Sequence, residues 1–419
     1  MLDIKLIREN PEKVKKGLAA KKVDSALVDE FLALDTRWRI LTNDLDELRN
    51  KQKGISDDRD IEAGRKNKAM IKELESERVE VAEKRDAVLE RFPNLPYDDV
   101  PVGKDSSANK ILRQVGKKPN FPFAPRDYLT LAKNLDLIDI EKAGEVVGTR
   151  FGYLKNEAVL LEFALVELAM QKLIKNGFTP IIPPVMIRPE VMKAMGKSQF
   201  INDKDAFYLP DDNLFLVGSS EHTIGPIHMN EVLNEKDLPK RYVGFSTCFR
   251  REAGSYGKDT RGILRVHQFD KVEMLSLAKP EDSEKEHEFL LGLQEELMQE
   301  LGLPYQVIKN CTGDMTFADA RQFDIETWIP SEEKYRETQS VSNTTDFQAR
   351  GINAKYKKPG GKAEFVHMLN GTAFAIGRML IAIIENYQTR EGKIEIPKAL
   401  RDYVGKKEIG WMKNDIVTL

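Results

Sequence analysis

The side chains best suited to chemistry cluster in residues 248–274, which read CFRREAGSYGKDTRGILRVHQFDKVEM. Arg250 and Glu252 stand two positions apart near the start of this stretch, so they share a face if the chain there is extended. In a second run of sequence, the same two-residue period places five further side chains on one face. They are Arg265, His267, Phe269, Lys271 and Glu273. Guanidiniums, a flat aromatic ring and carboxylates together suit a nucleotide held beside a small amine. Solvation of a strand face explains any one of these residues equally well, so the prediction depends on the whole set.

Two strands and the loop between them must position these side chains. Residues 242–249 alternate in polarity and predict the first strand. Gly254, Gly257 and Gly262 mark a loop, and a second alternating run begins at Ile263. We therefore predict a strand–loop–strand unit whose polar face carries the site.

Composition limits the class of protein. Net charge is −3 and the estimated pI is 6.1 for 419 residues, so a contact with nucleic acid must come from a local patch. No stretch has the length and apolar content of a signal peptide or a membrane span, which predicts a cytoplasmic protein with no membrane partner. Cys248 and Cys311 form no CxxC or Cys/His cluster, so we expect neither a disulfide framework nor a zinc site.

A charged segment at about residues 30–92 predicts a helical hairpin. Its seam follows spacings of four and three through Leu34, Trp38, Leu41, Leu45, Leu48 and Gln52, then resumes through Ile71, Leu74, Val81, Val88 and Phe92. Residues 54–64 interrupt the seam with turn formers, so the two helices should fold back as an antiparallel α-helical coiled coil. Arg78 and Arg85 occupy seam positions, where their stems must snorkel past apolar neighbours.

Basic side chains concentrate near the predicted turn of this hairpin. They are Arg49, Lys51, Lys53, Arg59, Arg65, Lys66 and Lys68. Acidic side chains dilute them in the same stretch, at Asp57, Asp58, Asp60 and Glu62. By composition alone, a solvated helix face explains the basic residues as well as a nucleic-acid contact does.

Prolines divide the chain. Pro93, Pro96 and Pro101 end the helical region. The predicted divisions are an N-terminal helical domain at 1–100, a linker at 101–119 and a mixed domain at 120–419.

Within the mixed domain, residues 157–175 are apolar nearly all round and predict a helix buried on both sides. Asn176 and Gly177 form its C-terminal cap. Residues 178–184 predict a short strand closed by prolines, which suits a sheet edge or an interface.

Near the C-terminus a strand is predicted over 364–369 and a turn over 370–372. A helix follows over 373–387 and carries Arg378 in its second turn.

Three stretches of sequence follow the predicted helical hairpin, and their content and order resemble those of the class II aminoacyl-tRNA synthetases. Nearly the whole chain resembles the bacterial-type seryl-tRNA synthetases. NGFTPIIPPVMI is similar to the first class II motif, FRREAG through DKVEM to the second, and LNGTAFAIGRMLIAIIENYQ to the third. Further similar stretches are PNLPYDDVPVGKD, CTGDM, WIPSEEKYRE, DFQAR and IEIPKALRDYVG. The resemblance implies an α+β fold in which an antiparallel six-stranded sheet is flanked by helices, with an N-terminal antiparallel coiled-coil arm that binds tRNA.

The resemblance implies a serine–tRNA ligase that works in two steps. The serine carboxylate attacks the α-phosphorus of ATP, giving seryl-adenylate and pyrophosphate, and the seryl group then passes to the 3′ end of tRNA(Ser), with tRNA(Sec) as a second candidate acceptor. Since the carboxylate is already a nucleophile, positioning and charge stabilisation should dominate. The resemblance also implies a homodimer joined through the helix at 157–175 and the strand after it.

The resemblance assigns roles to residues of the second and third motifs. Arg250 would clamp the α-phosphate and the incoming carboxylate, Phe269 would stack under adenine, and Arg378 would lie on the other face of adenine or near the γ-phosphate. Arg250 and Arg378 are the implied catalytic residues. The implied ATP-binding residues are Arg250, Arg251, Glu252, Arg265, Val266, Phe269, Arg336, Glu337, Thr338, Gln339, Ser340 and Arg378. Glu337 and Ser340 would hold the Mg²⁺ that accompanies ATP.

The implied serine-binding residues are Ser219, Ser220, Glu221, Arg250, Glu273, Asn370 and Thr372. A site built to bond a substrate hydroxyl rejects the analogue lacking it by roughly 10⁴–10⁵. Where the family usually has Thr-Ala-Glu, this chain has Ser219 in place of the threonine. Where the family usually has Asn-Gly-Ser, this chain has Thr372 in place of the serine. We hypothesise that these two changes offset each other in pocket volume.

Two other functions remain alternatives. A synthetase-like ligase that loads an amino acid onto a carrier protein would lack the tRNA-binding arm. A catalytically inactive paralogue would be expected to lose Arg250, Glu273, Glu337 or Arg378, and all four are present. The hairpin and these side chains favour the serine–tRNA ligase.

Overall fold

The computed structural model of the chain describes residues 1–57, 61–253 and 261–410. Arg59, one of the predicted tRNA contacts, and the loop segment 254–260 lie outside the described residues. The α-helices are α1 (Ile4–Glu9), α2 (Pro11–Ala20), α3 (Ala26–Asp57), α4 (Ile61–Leu89), α5 (Tyr128–Asn134), α6 (Ile140–Val146), α7 (Glu157–Lys175), α8 (Pro189–Ala194), α9 (Ser198–Asn202), α10 (Glu221–Ile224), α11 (Ser283–Glu300), α12 (Phe347–Ile352), α13 (Ile376–Asn386) and α14 (Arg401–Val404). The strands are β1 (Lys110–Val115), β2 (Ile138–Asp139), β3 (Tyr153–Leu154), β4 (Thr179–Ile181), β5 (Met186–Ile187), β6 (Tyr208–Leu209), β7 (Leu214–Leu216), β8 (Val232–Asn234), β9 (Lys240–Phe249), β10 (Gln268–Ala278), β11 (Tyr305–Lys309), β12 (Arg321–Ile329), β13 (Lys334–Asn343), β14 (Lys355–Lys357), β15 (Ala363–Phe365), β16 (His367–Ala375), β17 (Ile394–Glu395) and β18 (Glu408–Ile409).

The chain divides into two compact units, Met1–Pro96 and Tyr97–Leu419. The stretch 101–119, predicted as a linker, belongs to the second unit and contains a strand, since β1 pairs antiparallel with β11. Nearly all of β1 is exposed, so its sequence lacks the alternation that marks a half-buried strand. This exposure explains why the strand was not predicted.

In the first unit, α3 and α4 run antiparallel along each other. Arg91 reaches Glu30 near one end, with an N–O distance of 3.1 Å, and Arg37 pairs with Glu77 further along at 2.5 Å. Increasing residue numbers on one helix thus meet decreasing numbers on the other. The predicted antiparallel helical arm is confirmed.

The seam of this arm contains a buried acid that its sequence did not reveal. Asp35 is 2% exposed and accepts two hydrogen bonds from Arg8, each 2.7 Å long. Arg85, predicted to pass its stem through the seam, has its guanidinium carbon 4.5 Å from the centroid of the Trp38 ring, and its Nη1 lies 3.8 Å from Asp35. Because a buried acid needs cationic partners, this cluster favours one register of α3 against α4.

Closer to the tip, a second polar contact crosses the seam. The Asn67 amide donates to the Leu48 carbonyl at 2.9 Å and to the Gln52 side-chain oxygen at 3.0 Å. The helices extend beyond the predicted ends, because α3 runs to Asp57 and α4 begins at Ile61. Most of the predicted turn at 54–64 is therefore helical.

The second unit is built on one large sheet with strand order β1-β11-β12-β13-β16-β10-β9-β4. Neighbouring strands are antiparallel except β4 and β9, which are parallel. The predicted antiparallel sheet flanked by helices is confirmed, but it has eight strands among the described residues rather than six. The edge strands are β1 and β4, and β4 confirms the predicted edge strand.

The two faces of this sheet differ in chemistry. Alternate residues of β12 such as Phe323 and Ile325 are buried in the main apolar core, which also includes residues of α7, α11 and α13. The other face is polar, because Gln322 lies opposite Ser342, which lies opposite Asn370. Residues directly opposite on adjacent strands share a face, so this polar row crosses three strands.

Two local predictions differ from the structure at the centre of the sheet. The second strand begins at Gln268 rather than Ile263. Residues 370–372 do not turn the chain but continue β16, and α13 then starts at Ile376 with Arg378 in its first turn. Gly371 is needed for close approach, because a Cβ there would meet Val341 at 3.1 Å.

Helix α7 has the predicted bounds but is buried on one side only. Leu161 and Leu165 are fully buried, whereas Leu160 is 43% exposed and Phe163 is 60% exposed. Ile182, just after β4, is 85% exposed. One chain therefore leaves an apolar surface uncovered beside α7. Among the described residues, every helix is too short or too polar to span a bilayer.

Candidate active site

Two cavities share a wall on the polar face of the main sheet, one of about 460 Å³ and one of about 270 Å³. The residues that line both are Arg250, Lys271, Thr316, Gln322 and Ser340. A guanidinium and an ammonium thus stand where the two cavities meet. This arrangement suits two substrates whose reacting groups are both anionic.

The smaller cavity gathers most of the residues predicted to bind ATP. They are Arg250, Glu252, Arg265, Val266, Phe269, Glu337, Thr338, Gln339, Ser340 and Arg378. Thr372, predicted to contact serine, lines this cavity as well. Residues separated by more than a hundred positions in the chain therefore form one pocket.

Arg250 is held by main-chain contacts just after β9. Its N–H donates to the His267 carbonyl at 2.9 Å, and its Nε donates to the Gly218 carbonyl at 3.1 Å. The guanidinium carbon lies 5.4 Å from the centroid of the Phe269 ring. Since Nε bonds the protein, an anion in the cavities would meet the outer nitrogens of this guanidinium.

Glu252 turns the chain sharply beyond Arg250. Its φ of 53° lies in the left-handed region, which is uncommon for a residue other than glycine. Its carboxylate lies 3.3 Å from Nη1 of Arg265. The left-handed turn and the ion pair fix both side chains at the wall of the smaller cavity.

A β-bulge in β13 brings Glu337 and Ser340 into the same cavity. Thr338 is an extra residue opposite β12, so the regular alternation shifts by one position there. This shift explains how two residues three positions apart both line the smaller cavity. Arg378 donates to the main-chain carbonyl of Glu337 at 2.8 Å and lies 3.2 Å from its carboxylate.

Glu337 and Ser340 offer a carboxylate and a hydroxyl, and both are oxygen ligands that suit a hard cation. Desolvation would raise the pKa of Glu337, but the guanidiniums of Arg378, Arg250 and Arg265 together lower the pKa below its ordinary value. Burial, followed by the Glu337 charge, raises the pKa of Asp324 well above its ordinary value. Nowhere in the described part of the chain do three acidic, His or Cys side chains form a group able to hold a metal. Glu337 and Ser340 therefore suit a cation that takes its remaining ligands from phosphate and water.

Two residues predicted to bind ATP lie elsewhere. Arg251 has its guanidinium carbon 4.4 Å from the centroid of the Phe207 ring, and its Nε donates to the Ala206 carbonyl. Arg336 donates through Nε to Glu332 at 2.6 Å. Neither arginine lines either cavity, because local aromatic and acidic partners hold both side chains.

Thr338 and Gln339 line the smaller cavity, and contacts within the protein hold both side chains. The Thr338 hydroxyl lies 2.8 Å from the Thr327 hydroxyl. The Gln339 amide nitrogen donates to the Ala373 carbonyl at 2.5 Å, whereas its side-chain oxygen has no hydrogen-bond partner among the described residues. Of these two side chains, Gln339 therefore keeps an acceptor that a ligand could use.

The larger cavity contains the predicted serine-binding acid. Glu273 is 1% exposed, and its Oε2 accepts a hydrogen bond of 3.0 Å from the Thr372 hydroxyl. Its Oε1 accepts from the Asn370 amide at 3.3 Å. The Lys271 ammonium lies 2.8 Å from Oε2. The structure thus joins the three predicted residues and adds Lys271, to which the sequence gave no binding role.

A second buried acid in the larger cavity is Glu221, which is 4% exposed. Its Oε1 accepts from the Gln348 amide at 2.7 Å and lies 3.0 Å from the Lys197 ammonium. Burial opposes its ionisation, but the Lys197 charge, together with smaller contributions that include the Gln348 hydrogen bond, lowers the pKa of Glu221 to about 2. Burial, joined by the Lys197 charge, lowers the pKa of His222 to about 3. Sequence reasoning missed Lys197 and gave Gln348 no role, although the DFQAR stretch contains it.

The two serines before Glu221 have different positions. Ser219 lines the larger cavity, and its hydroxyl accepts the Glu221 N–H at 3.2 Å. Ser220 is fully buried and lines neither cavity, and its hydroxyl has no hydrogen-bond partner in the described structure. Ser219 and Thr372 thus line different cavities, and the hypothesis that their volumes offset each other stays a prediction.

The predicted tRNA contacts other than Arg59 lie in the first unit, on α3 and α4. Arg49 pairs with Glu75 across the two helices at 2.7 Å. The exposed basic residues near the tip are Lys51, Lys53, Arg65, Lys66 and Lys68. Their exposure leaves the predicted contact with tRNA sterically open.

Known proteins resemble this chain along nearly its whole length. Residues 1–96 match the family described as Seryl-tRNA synthetase N-terminal domain, and residues 207–387 match tRNA synthetase class II core domain (G, H, P, S and T). The serine–tRNA ligase of Dictyoglomus turgidum is 43% identical, over 98% of this chain and 99% of that protein. The crystal structure of seryl-tRNA synthetase from Pyrococcus horikoshii complexed with ATP has a TM-score of 0.93 at 40% identity, covering 98% of this chain and 99% of that one. The cytoplasmic serine–tRNA ligase of Naegleria fowleri in complex with AMP has a TM-score of 0.90 at 33% identity, covering 98% and 99%.

Proposed function

The chain belongs to the seryl-tRNA synthetase family, and from that membership we propose that it activates L-serine with ATP and transfers the seryl group to tRNA(Ser). The observation that carries the proposal is the junction of the two cavities at Arg250, with Glu273 and Thr372 beside it. A nucleotide in the smaller cavity and an amino acid in the larger one would meet at this guanidinium. The proposal therefore assigns one substrate to each cavity.

In the first step, a carboxylate oxygen of serine attacks the α-phosphorus of ATP. The bond from that phosphorus to the bridging oxygen breaks, so seryl-adenylate forms and pyrophosphate leaves. Arg250 holds both anions at the shared wall and offsets their repulsion. Arg265 and Arg378 line the smaller cavity and bind the triphosphate. Phe269 supplies the flat surface for adenine.

Recognition of serine depends on Glu273. A carboxylate with buried hydroxyl and amide donors is a fixed acceptor for the serine hydroxyl. Alanine has no hydroxyl and would leave that acceptor without a hydrogen-bond partner. Because an unpaired buried polar group costs free energy, alanine would bind less well than serine. Glu221, kept ionised by Lys197, adds negative charge that favours the serine ammonium group.

Glu337 and Ser340 would hold the Mg²⁺ that accompanies ATP, and that ion would supply positive charge to the phosphate oxygens when bound. Both residues line the nucleotide cavity, which supports this assignment. Arg378 orients Glu337 through both its carbonyl and its carboxylate.

In the second step, a terminal ribose hydroxyl of tRNA attacks the seryl carbonyl, and AMP leaves. The helical arm binds the tRNA through exposed basic residues on α3 and α4, with tRNA(Sec) as a second candidate acceptor. Mixed charges on the arm favour recognition of the tRNA backbone and overall shape rather than contacts with its bases.

Because the substrates are ATP and tRNA, we place the reaction in the cytoplasm.

The uncovered apolar surface beside α7 supports a homodimer. Leu160, Phe163 and Ile182 are exposed in a single chain, and covering such residues with a second copy would remove apolar area from water. Sedimentation analysis of the wild-type chain should give twice the monomer mass, and Phe163→Asp should shift it toward the monomer.

The test is ATP–pyrophosphate exchange across a panel of amino acids. Serine should be the preferred substrate, with alanine and threonine far behind. Deletion of residues 49–68 should leave exchange nearly intact and abolish charging of tRNA(Ser). Exchange with another amino acid, or with none, would refute the proposal. Charging of a carrier protein by the wild-type chain would instead support the alternative ligase.

A further inference from the structure

Lys271 is a buried cation at the junction of the two cavities. Its side chain is 8% exposed, and its ammonium lies 2.8 Å from Oε2 of Glu273. The two residues are two positions apart on β10, whose pairing with β9 is regular there, with Lys271 opposite Ser246 and Glu273 opposite Gly244. Strand alternation therefore directs both side chains to the same polar face. The ion pair is built into the strand.

Glu273 depends on this cation because its other described partners are neutral. They are the Thr372 hydroxyl on Oε2 and the Asn370 amide on Oε1. A carboxylate that is 1% exposed loses its hydration, and neutral donors replace only part of it. Removing Lys271 would leave the acid buried without an opposite charge at that distance.

The bonds are also unequal between the two oxygens of Glu273. Oε2 contacts Lys271 at 2.8 Å and Thr372 at 3.0 Å. Among the described residues, Oε1 has only the longer bond of 3.3 Å from Asn370. The carboxylate is thus fixed through Oε2, and Oε1 is the oxygen with more capacity to accept a bond from a ligand.

We propose that Lys271 is a positioning residue for serine: it fixes Glu273 through Oε2 so that Oε1 accepts the substrate hydroxyl. The inference rests on the proposed function, since Glu273 matters in this way only if serine lies beside it. Lys271 also lines the nucleotide cavity, where it would add a second cation near Arg250. The two roles make different predictions, because one acts through Glu273 and the other does not.

A double-mutant cycle distinguishes the role of Lys271 through Glu273 from a direct role in nucleotide binding. Lys271→Met removes the charge and keeps an unbranched side chain of similar length. We expect it to lower kcat/KM for serine about 30-fold in the wild-type background but less than about threefold in a Glu273→Gln background. KM for ATP should stay within about twofold, and Lys271→Arg should recover part of the loss. Serine binding measured by calorimetry on the same proteins gives the comparison without turnover.

The matched control is Lys279→Met, which removes a lysine just beyond the end of β10. Lys279 is paired with Asp282 at 3.2 Å and lines neither cavity. It should leave serine activation unchanged. Equal losses from Lys271→Met in the two backgrounds would overturn the inference, as would a rise in KM for ATP alone. Absence of serine-dependent exchange in the wild-type protein would instead refute the proposed function.

Discussion

The hydroxyl of Thr372 offers a direct test of how serine is recognised. Thr372→Val removes this hydroxyl and keeps the branched shape, so the pocket volume changes little. Glu273 then loses the 3.0 Å bond to Oε2 but retains Lys271 on the same oxygen. The hydrogen bond of 2.7 Å that the Gln294 side-chain amide donates to the Thr372 main-chain carbonyl is untouched. The substitution therefore perturbs the acceptor rather than the sheet.

The size of the effect follows from the partners. A hydrogen bond to a charged group contributes about 1.5–3 kcal/mol, and loss of the hydroxyl removes one such bond from Glu273. Because Lys271 continues to hold the carboxylate, we expect the lower end, about a 10-fold fall in kcat/KM for serine. Alanine does not use this acceptor, so its kcat/KM should change less than about twofold and discrimination should fall by about the same factor of 10.

ATP–pyrophosphate exchange with serine and with alanine measures both quantities. Thr327→Val is the matched control, since Thr327 is fully buried in the same sheet, bonds another hydroxyl at 2.8 Å and lines neither cavity. It should reduce stability without changing the serine-to-alanine ratio. Equal losses with both amino acids in Thr372→Val would refute the reasoning, because the hydroxyl would then support folding or chemistry in general.

Three further predictions concern stability and the nucleotide. Ser220→Ala should raise the free energy of unfolding by about 1 kcal/mol in urea titrations, because the buried hydroxyl has no partner among the described residues; a decrease would show that it is bonded. His222 has a folded pKa of about 3, below its ordinary 6.5, so the unfolded chain binds the proton first as pH falls. His222→Gln should therefore remove about 1 kcal/mol of the stability lost between pH 6.5 and 5.5. An unchanged pH slope would contradict this, and Glu221, with a folded pKa of about 2, adds its own loss only below about pH 4.5. Tyr128→Phe removes the hydroxyl that accepts the Ile263 N–H at 2.9 Å, and Ile263 lines the smaller cavity but not the larger one. KM for ATP should therefore rise severalfold while KM for serine does not, and a change in serine KM alone would count against this prediction.

Side-chain type and strand period predicted which residues of one strand share a face. The alternation over 269–273 placed Phe269, Lys271 and Glu273 on one face, and each lines at least one cavity. Arg251 and Arg336 differ, because their assignment came from resemblance and their side chains are held by local partners. A sequence motif gives a residue type and position, but it does not give a rotamer.

Other features followed from contacts that sequence patterns do not encode. Residues 370–372 looked like a turn because Asn and Gly favour turns, yet Gly371 serves a close strand approach. Lys197 carries no motif and reaches the site only because Glu221 binds it. Asp35 shows the same principle in the arm, where distant arginines make its burial possible.

The amino-acid sequence by itself determined the helical arm, the alternating strands and the inventory of arginines and acids, because these depend on local periodicity and residue type. Tertiary structure decided which of those groups meet. The bulge at Thr338, the continuation of β16 and the pairing of Lys271 with Glu273 all arise from strand register. Register is fixed by burial of whole faces across many strands, so no short stretch of sequence contains it.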